Sequence, residues 1–333
     1  MANTHSFPLI RLPSLARDHV FVLMNVREQY LFATLSKKSI RVAKSGVRRL
    51  SYSFEMMLVY DEASISIRKD GTDDSFELLI SRRSTVNRIL NRICLKVESI
   101  KEVSTELLPF LNDLFKISRF DLDFFSEDFE EFWASMKISK IEFNKLEVRG
   151  RDNKTFDWIM ENCRDVKKLV NDYQTTDDFQ WDSLKPFTFD YLSLCNAPWL
   201  TVDHMSRLFN DLKFFEVVRN EVPMTNDDLN QLVKNWIDNS KLEFFGVQVN
   251  TPINLNHILE DIQKEPVQRA RVENCLRDFA PGNAFKIRQK SGKEAVVCIW
   301  LKSRFMINTH FYDSTCDFWA VEKEDDPYDI HNM

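Results

Sequence analysis

The sequence predicts a mixed α/β chain (α+β overall): a small N-terminal helical module, then an irregular strand–helix solenoid, with β-hairpins at both ends. Three observations predict it. An apolar-x-x-apolar-x-apolar pattern recurs from residue 117 to residue 247. Between its copies lie apolar residues at the i, i+3, i+4, i+7 spacing of one helix face. On either side of that body, apolar residues alternate with period two around turn-forming residues. Composition agrees. With 27 Phe and only 6 Gly in 333 residues, the chain has large side chains to bury and few positions that need a left-handed backbone.

The module comes first. Pro13 followed by Ser14 reads as a helix start, with Ser14 as the expected N-cap. Apolar residues then fall at Leu15, Val20, Leu23 and Met24. A second set follows at Tyr30, Leu31 and Leu35, and Ser36 is placed to cap a third helix. Three helices in so few residues cannot enclose a core of their own, so apolar surface is left over for the rest of the chain or for a partner.

The same residues carry a family likeness. Segment 12–43 resembles an F-box without a gap. Leu12-Pro13 stands at the family's opening Leu-Pro, Val20, Phe21 and Met24 at its Ile-Leu-x-x-Leu helix, and Leu35-Ser36-Lys37-Lys38 at its Val-Ser-Lys-Arg segment. The lead-in Phe7-Pro8-Leu9 is similar to a nematode-expanded branch of these proteins. Leu15, Gln29 and Ser39 depart from the pattern, where an acid, a Leu and an aromatic residue are usual. The resemblance implies docking on a Skp-type adaptor, and through it on a cullin. It also implies that Leu12, Pro13, Val20, Phe21, Leu31 and Leu35 form the apolar contact.

Next to this module, Lys37, Lys38, Arg41, Lys44, Arg48 and Arg49 form a basic stretch with no acid among them. No aromatic residue interleaves with these charges, as a nucleic-acid surface would require, and a solvated helix face is the better reading. The net charge of −6 points the same way.

From 50 to 85 a hairpin connector is expected, with Ile65 and Ile67 facing Phe76, Leu78 and Ile80 across the turn Lys69-Asp70-Gly71. The body, 86–280, holds the repeats at Ile117/Phe120/Leu122, Ile138/Ile141/Phe143, Phe189/Leu192/Leu194, Leu212/Phe215/Val217 and Leu242/Phe245/Val247. A weaker copy at Val166/Leu169 has Asn171 in its third place. Asn220 and Asn250 follow the last two starts by eight residues, which resembles the strand and turn of leucine-rich repeats. Helices are expected over Phe129, Phe132, Trp133 and Met136 after Ser126-Glu127-Asp128, over Met205, Leu208, Phe209 and Leu212 after Thr201, and over Leu229, Leu232, Val233, Trp236 and Ile237 behind a Thr225/Asp228 capping box. Each strand–helix unit alone leaves an apolar face wet, and stacking buries it.

Segment 187–250 resembles the F-box-associated domain, type 2, of the same nematode-expanded group. Trp199-Leu200-Thr201, the run from Thr225 to Asn230, and Lys234-Asn235-Trp236-Ile237 carry that likeness. A C-terminal hairpin is expected over 281–321, from strands at 284–289 and 295–301 around Ser291-Gly292 and a third at 305–311. An acidic tail, 322–333, ends the chain.

No catalytic pattern appears. Glycine-rich phosphate loops, nucleophile elbows and metalloprotease signatures are absent, and the six His and six Cys have no metal-ligand spacing. Asp203-His204 reads as a helix start. Asp121, Asp123, Glu127, Asp128, Glu130 and Glu131 read as helix-start and solvated acids rather than a metal cluster. No cofactor, metal, nucleic acid or membrane is expected, and free thiols without a signal peptide point to the cytosol or nucleus. The two resemblances imply the function of a non-catalytic substrate receptor of a ubiquitin ligase, binding a target protein through the repeat body. The alternative is an interaction scaffold without a ligase role.

Overall fold

The computed structural model describes residues 9–47, 49–60, 62–81, 92–97, 99–125, 129–138, 141–183, 185–209, 211–272, 275–300 and 303–310. The chain is mixed α/β, as its patterning predicts. It divides into two compact units, Met1–Ser183 with Thr188–Asn196, and Leu184–Phe187 with Ala197–Met333.

The first unit opens with the expected three helices, α1 (Ser14–Leu23), α2 (Val26–Thr34) and α3 (Lys37–Val47). Their starts are set differently from expectation. Pro13 is the N-cap of α1, so Ser14 is already helical and makes no capping bond. Asn25 caps α2 in a reciprocal box with Glu28, satisfying two helix-start donors at once. Ser36 does cap α3, accepting from the Ser39 N–H at 3.1 Å. Phe21 holds the three together, edge-on to Phe32 and against Gly46, where any β-carbon would lie 2.5 Å from its own. Only glycine fits there.

A meander follows, β1 (Tyr52–Val59), β2 (Glu62–Lys69) and β3 (Ser75–Ser81), antiparallel throughout, with β4 (Arg92–Lys96) parallel to β3. The alternation around Lys69-Asp70-Gly71 becomes β2 and β3, but β1 pairs with β5 (Ile117–Phe125), so these strands continue the body's sheet and do not form a separate connector. Helices α4 (Ile100–Glu102) and α5 (Leu108–Leu114) are joined by a π turn at Val103–Leu107. The chain then runs β5 (Ile117–Phe125), α6 (Phe129–Ile138), β6 (Lys145–Gly150), α7 (Asn153–Asn162), β7 (Lys168–Tyr173) and β8 (Tyr191–Leu194). The strand order is β8-β7-β6-β5-β1-β2-β3-β4, and β1, β5, β6, β7 and β8 are all parallel.

Register explains the repeat. Met56, Leu122, Leu146, Leu169 and Leu192 stand side by side, as do Leu58, Phe124, Val148, Asn171 and Leu194. Every one of these ten side chains is buried. The strand expected at Ile138/Ile141/Phe143 is corrected: Ile138 closes α6, and the strand lies at 145–150. The same pattern fits one phase later, at Phe143/Leu146/Val148. The Leu column then advances from 122 to 146, 169 and 192, steps of 24, 23 and 23 residues, which is more regular than the spacing first read. The phase was ambiguous because α6 buries Phe129, Phe132, Trp133 and Met136 and carries its own apolar spacing as far as Ile138.

The second unit contains α8 (Val202–Leu208), β9 (Phe214–Val222), α9 (Asn226–Asn239), β10 (Phe244–Val249) and α10 (Leu255–Ile258). Then come β11 (Glu265–Pro266), a separate hairpin of β12 (Arg269–Val272) and β13 (Cys275–Asp278), and finally β14 (Ala284–Arg288), β15 (Glu294–Trp300) and β16 (Arg304–Asn308). The order is β11-β14-β15-β16-β10-β9, with β9 and β10 parallel and the C-terminal strands antiparallel. Phe285, Val297, Ile307, Phe245 and Phe215 form one buried row across five of these strands. The C-terminal hairpin turns at Gly292, whose φ of 94° favours glycine.

Asn220 and Asn250 are exposed and do not take the buried turn position of a leucine-rich repeat. Asn196 ties two strand ends instead. Its Oδ1 accepts from the Thr175 N–H at 3.2 Å, and its Nδ2 donates to the Thr175 carbonyl at 3.1 Å. The lead-in at Phe7-Pro8, the residues Ser126 to Asp128 and the tail 322–333 lie outside the described residues.

Candidate interaction surface

Two helices of the N-terminal module leave apolar stripes to solvent. On α1, Leu15, His19, Val22 and Leu23 follow the i, i+4, i+7, i+8 spacing of one face and are all exposed, Leu15 at 64% and Leu23 at 85%. On α2, Arg27, Leu31 and Thr34, with Leu35 just beyond its end, form the corresponding face. Leu31 is 39% exposed and Leu35 is 73% exposed. A lone exposed Leu is ordinary. Five large apolar side chains, Val22 included, are exposed on these two short helices, more than scattered surface leucines account for.

The six residues expected to form the docking contact separate in the structure. Pro13, Leu31 and Leu35 are exposed, and Leu12 and Val20 are half-buried. Phe21 is corrected: it is wholly buried inside the module. The helical pattern could not distinguish it from its neighbour Val22, because the turn from α1 to α2 decides which of the two faces Phe32 and Gly46. Sequence reading missed Leu15, Val22 and Leu23 as surface residues. The signal was present, since they recur on one face of α1.

Two of the three departures from the F-box pattern, Gln29 and Ser39, have local explanations. Gln29 is fully buried. Its Nε2 donates to the Phe21 and Met24 carbonyls at 2.9 and 3.1 Å, which closes the C-terminal end of α1. Its Oε1 accepts from the Tyr52 hydroxyl at 2.7 Å. Burial holds the Tyr52 phenol protonated far above its ordinary range, so it remains a donor. With the ring contact of Tyr30 on Phe76 (5.3 Å) and the Val26 N–H on Asp74 (3.1 Å), this fixes α2 on the meander. Ser39 is buried beside Ser36, at 2.8 Å between hydroxyls.

Charge divides sharply along the chain. Residues 1–49 hold nine Lys and Arg against Asp18 and Glu28, a formal +7, which leaves −13 on the remainder of a chain that totals −6. Lys37, Lys38 and Arg41 are exposed on α3, and among the described residues none has an acidic partner. Lys44 is paired with Asp113 of α5.

A second surface lies on the parallel strands, on the face away from the Leu column. Asp123, Lys145, Glu147, Arg149 and Asp172 form a ladder across β5, β6 and β7, and Asp121 beside it pairs with Arg119. Lys145 lies 3.0 Å from Glu147 and 3.8 Å from Asp123, and Arg149 lies 2.5 Å from Glu147 and 3.4 Å from Asp172. Burial pushes the Asp123 carboxyl up to about 6, against the pull of Lys145 and with repulsion from Glu147. Burial acts on Glu147 too, but hydrogen bonds and charge from Arg149 and Lys145 outweigh it and hold that carboxyl below its usual value. Among the described residues no His, Cys, Asp or Glu grouping has metal-ligating geometry. Glu131, read with these acids in the sequence, pairs instead with Lys101 at 2.8 Å.

The residues that carry the second resemblance are mostly engaged in holding the second unit together. Thr201 caps α8 reciprocally with His204, and Thr225 caps α9 with Asp228. Asn226 holds the 250s loop through Pro252 and Asn254, and Asn235 reaches Ser206 at 2.8 Å. The buried Trp236 indole donates to the Leu242 carbonyl at 2.9 Å. Among the described residues no helix is long and apolar enough to cross a membrane. No family model, curated protein or solved structure matches the chain.

Proposed function

We propose that this chain is the substrate-recognition subunit of an SCF-type ubiquitin ligase. In this reading α1–α3 are a divergent F-box that docks on a Skp-type adaptor, itself bound to a cullin. The parallel strands and their crossover helices form an irregular, leucine-rich-repeat-like solenoid that holds a target protein. The chain contributes no bond chemistry of its own. It raises the target's effective concentration at the ligase.

One observation carries the reading: the F-box-like segment is also the segment that exposes Leu15, Val22, Leu23, Leu31 and Leu35. A fully exposed side chain of this kind buried on docking contributes roughly 1.5–3 kcal/mol before association costs, and Val22 and Leu31, already more than half covered, contribute less. Co-purification of the full chain with the Skp-type adaptor of its own organism tests the proposal. Wild type is expected to retain adaptor, while Leu31→Ala with Leu35→Ala, and separately Leu12→Ala with Pro13→Ala, lose most of it. Equal recovery with all three proteins would remove the F-box assignment.

A second reading rests on the Gln29–Tyr52 and Tyr30–Phe76 contacts, which make the module part of the strand fold. Under it, the module is a structural cap of an interaction scaffold, and no adaptor is recovered with any variant.

A further inference from the structure

We propose that α3 supplies a basic rim that steers an acidic protein surface onto the apolar stripes of α1 and α2. This rests on the reading that those stripes dock on the Skp-type adaptor, and adds the charge that the docking face of that partner must carry. The first 49 residues hold +7 against −13 in the remainder, so the positive charge is concentrated in the module that exposes the apolar patch. Lys37 and Lys38 begin two residues after Leu35, the second most exposed of the five, and Arg41 follows one turn later on α3. The three are solvated and have no acidic partner among the described residues. Holding like charges together on one short helix is unfavourable unless something outside the chain meets them.

The chemistry selects among anionic partners. Nucleic-acid grooves and single strands are met by aromatic residues between the cations, and among the described residues of this module the aromatic rings are turned inward: Phe21 and Tyr30 are buried and Phe32 half-buried. An anionic bilayer is met by helices whose apolar face, of Trp, Phe or Leu, is free of charge, with the cations on the opposite face. Here the exposed apolar side chains are all Leu and Val, and Arg27 stands within the α2 stripe. A protein surface with an apolar centre and an acidic border fits both features. Charge of this kind acts on encounter, and apolar burial acts on residence.

Association and dissociation rates of the full chain with purified adaptor, measured from about 50 to about 500 mM NaCl, test this. The association rate constant is expected to fall about tenfold or more across that range while dissociation changes little. The triple change K37E/K38E/R41E, on exposed positions, should reproduce the loss at low salt. L31A/L35A should instead speed dissociation. Adaptor binding with a salt-independent association rate, unchanged in the triple variant, would overturn the steering inference and leave the docking reading intact. No adaptor binding at low salt would overturn both. Binding to vesicles containing phosphatidylserine, lost in the triple variant and without adaptor binding, would assign the rim to a membrane and overturn the inference.

Discussion

At the scale of single residues, Gln29 does the work that joins module to sheet. It is buried, closes the end of α1 with two donated bonds and accepts from Tyr52 on β1. Gln29→Leu leaves the Tyr52 hydroxyl buried without an acceptor, and should cost about 1–3 kcal/mol of stability. Tyr52→Phe alone leaves Gln29 Oε1 unmet. Combining them removes the shared penalty, so the double variant is expected to be more stable than the sum of the singles by about 1 kcal/mol. Denaturant titrations of the four proteins measure this, and strict additivity would contradict the account. None of it was legible in the sequence, where Gln29 stood only as a departure from a usual Leu. A glutamine's role depends on which carbonyl ends and which hydroxyl the fold brings to it. Phe21 was misplaced for a similar reason: periodicity finds the helix, and tertiary packing decides which of two adjacent apolar residues turns inward.

At the scale of elements, the sequence was most legible where local signals agree with packing. The Thr225/Asp228 box starts α9, Ser36 caps α3, and the alternation around Ser291-Gly292 becomes β14 and β15. It was least legible where a signal has two phases, as at β6, or where a helix is short and its apolar face sparse, as at α7, capped by Asp152 and buried through Phe156, Ile159 and Met160. The charged ladder across β5, β6 and β7 was invisible too, because its members meet only through register. That ladder makes a pH-dependent prediction. With Asp123 raised to about 6, the folded chain keeps a proton that the unfolded chain has released, so this group makes stability fall as pH rises from about 4 to 6 and stay level above. Asp123→Asn removes the cost of the buried charge. At pH 7 it should stabilise by on the order of 1 kcal/mol, less than the full shift because the carboxyl is partly solvated. Near pH 4 the gain should vanish. Urea melts at the two pH values check this, and equal effects at both would contradict it.

At the scale of the molecule, two surfaces of different character emerge: a basic, apolar patch on the N-terminal helices and a charged strand face on β5, β6 and β7 whose ion pairs are met internally. The first has the unmet apolar area and the unmet charge, and it is the one for which we propose docking. The class of each surface follows from what is left unsatisfied there. A target's identity does not, because exposed side chains on a repeat face bind by complementarity to a shape supplied by the other protein. The most direct measurement is amide hydrogen exchange on the full chain with and without saturating Skp-type adaptor. Adaptor binding is expected to slow exchange across Ser14–Leu23, Val26–Thr34 and the start of Lys37–Val47, with Ile117–Phe125, Lys145–Gly150 and Lys168–Tyr173 unchanged. Slowing confined to those strands, or none anywhere, would contradict it.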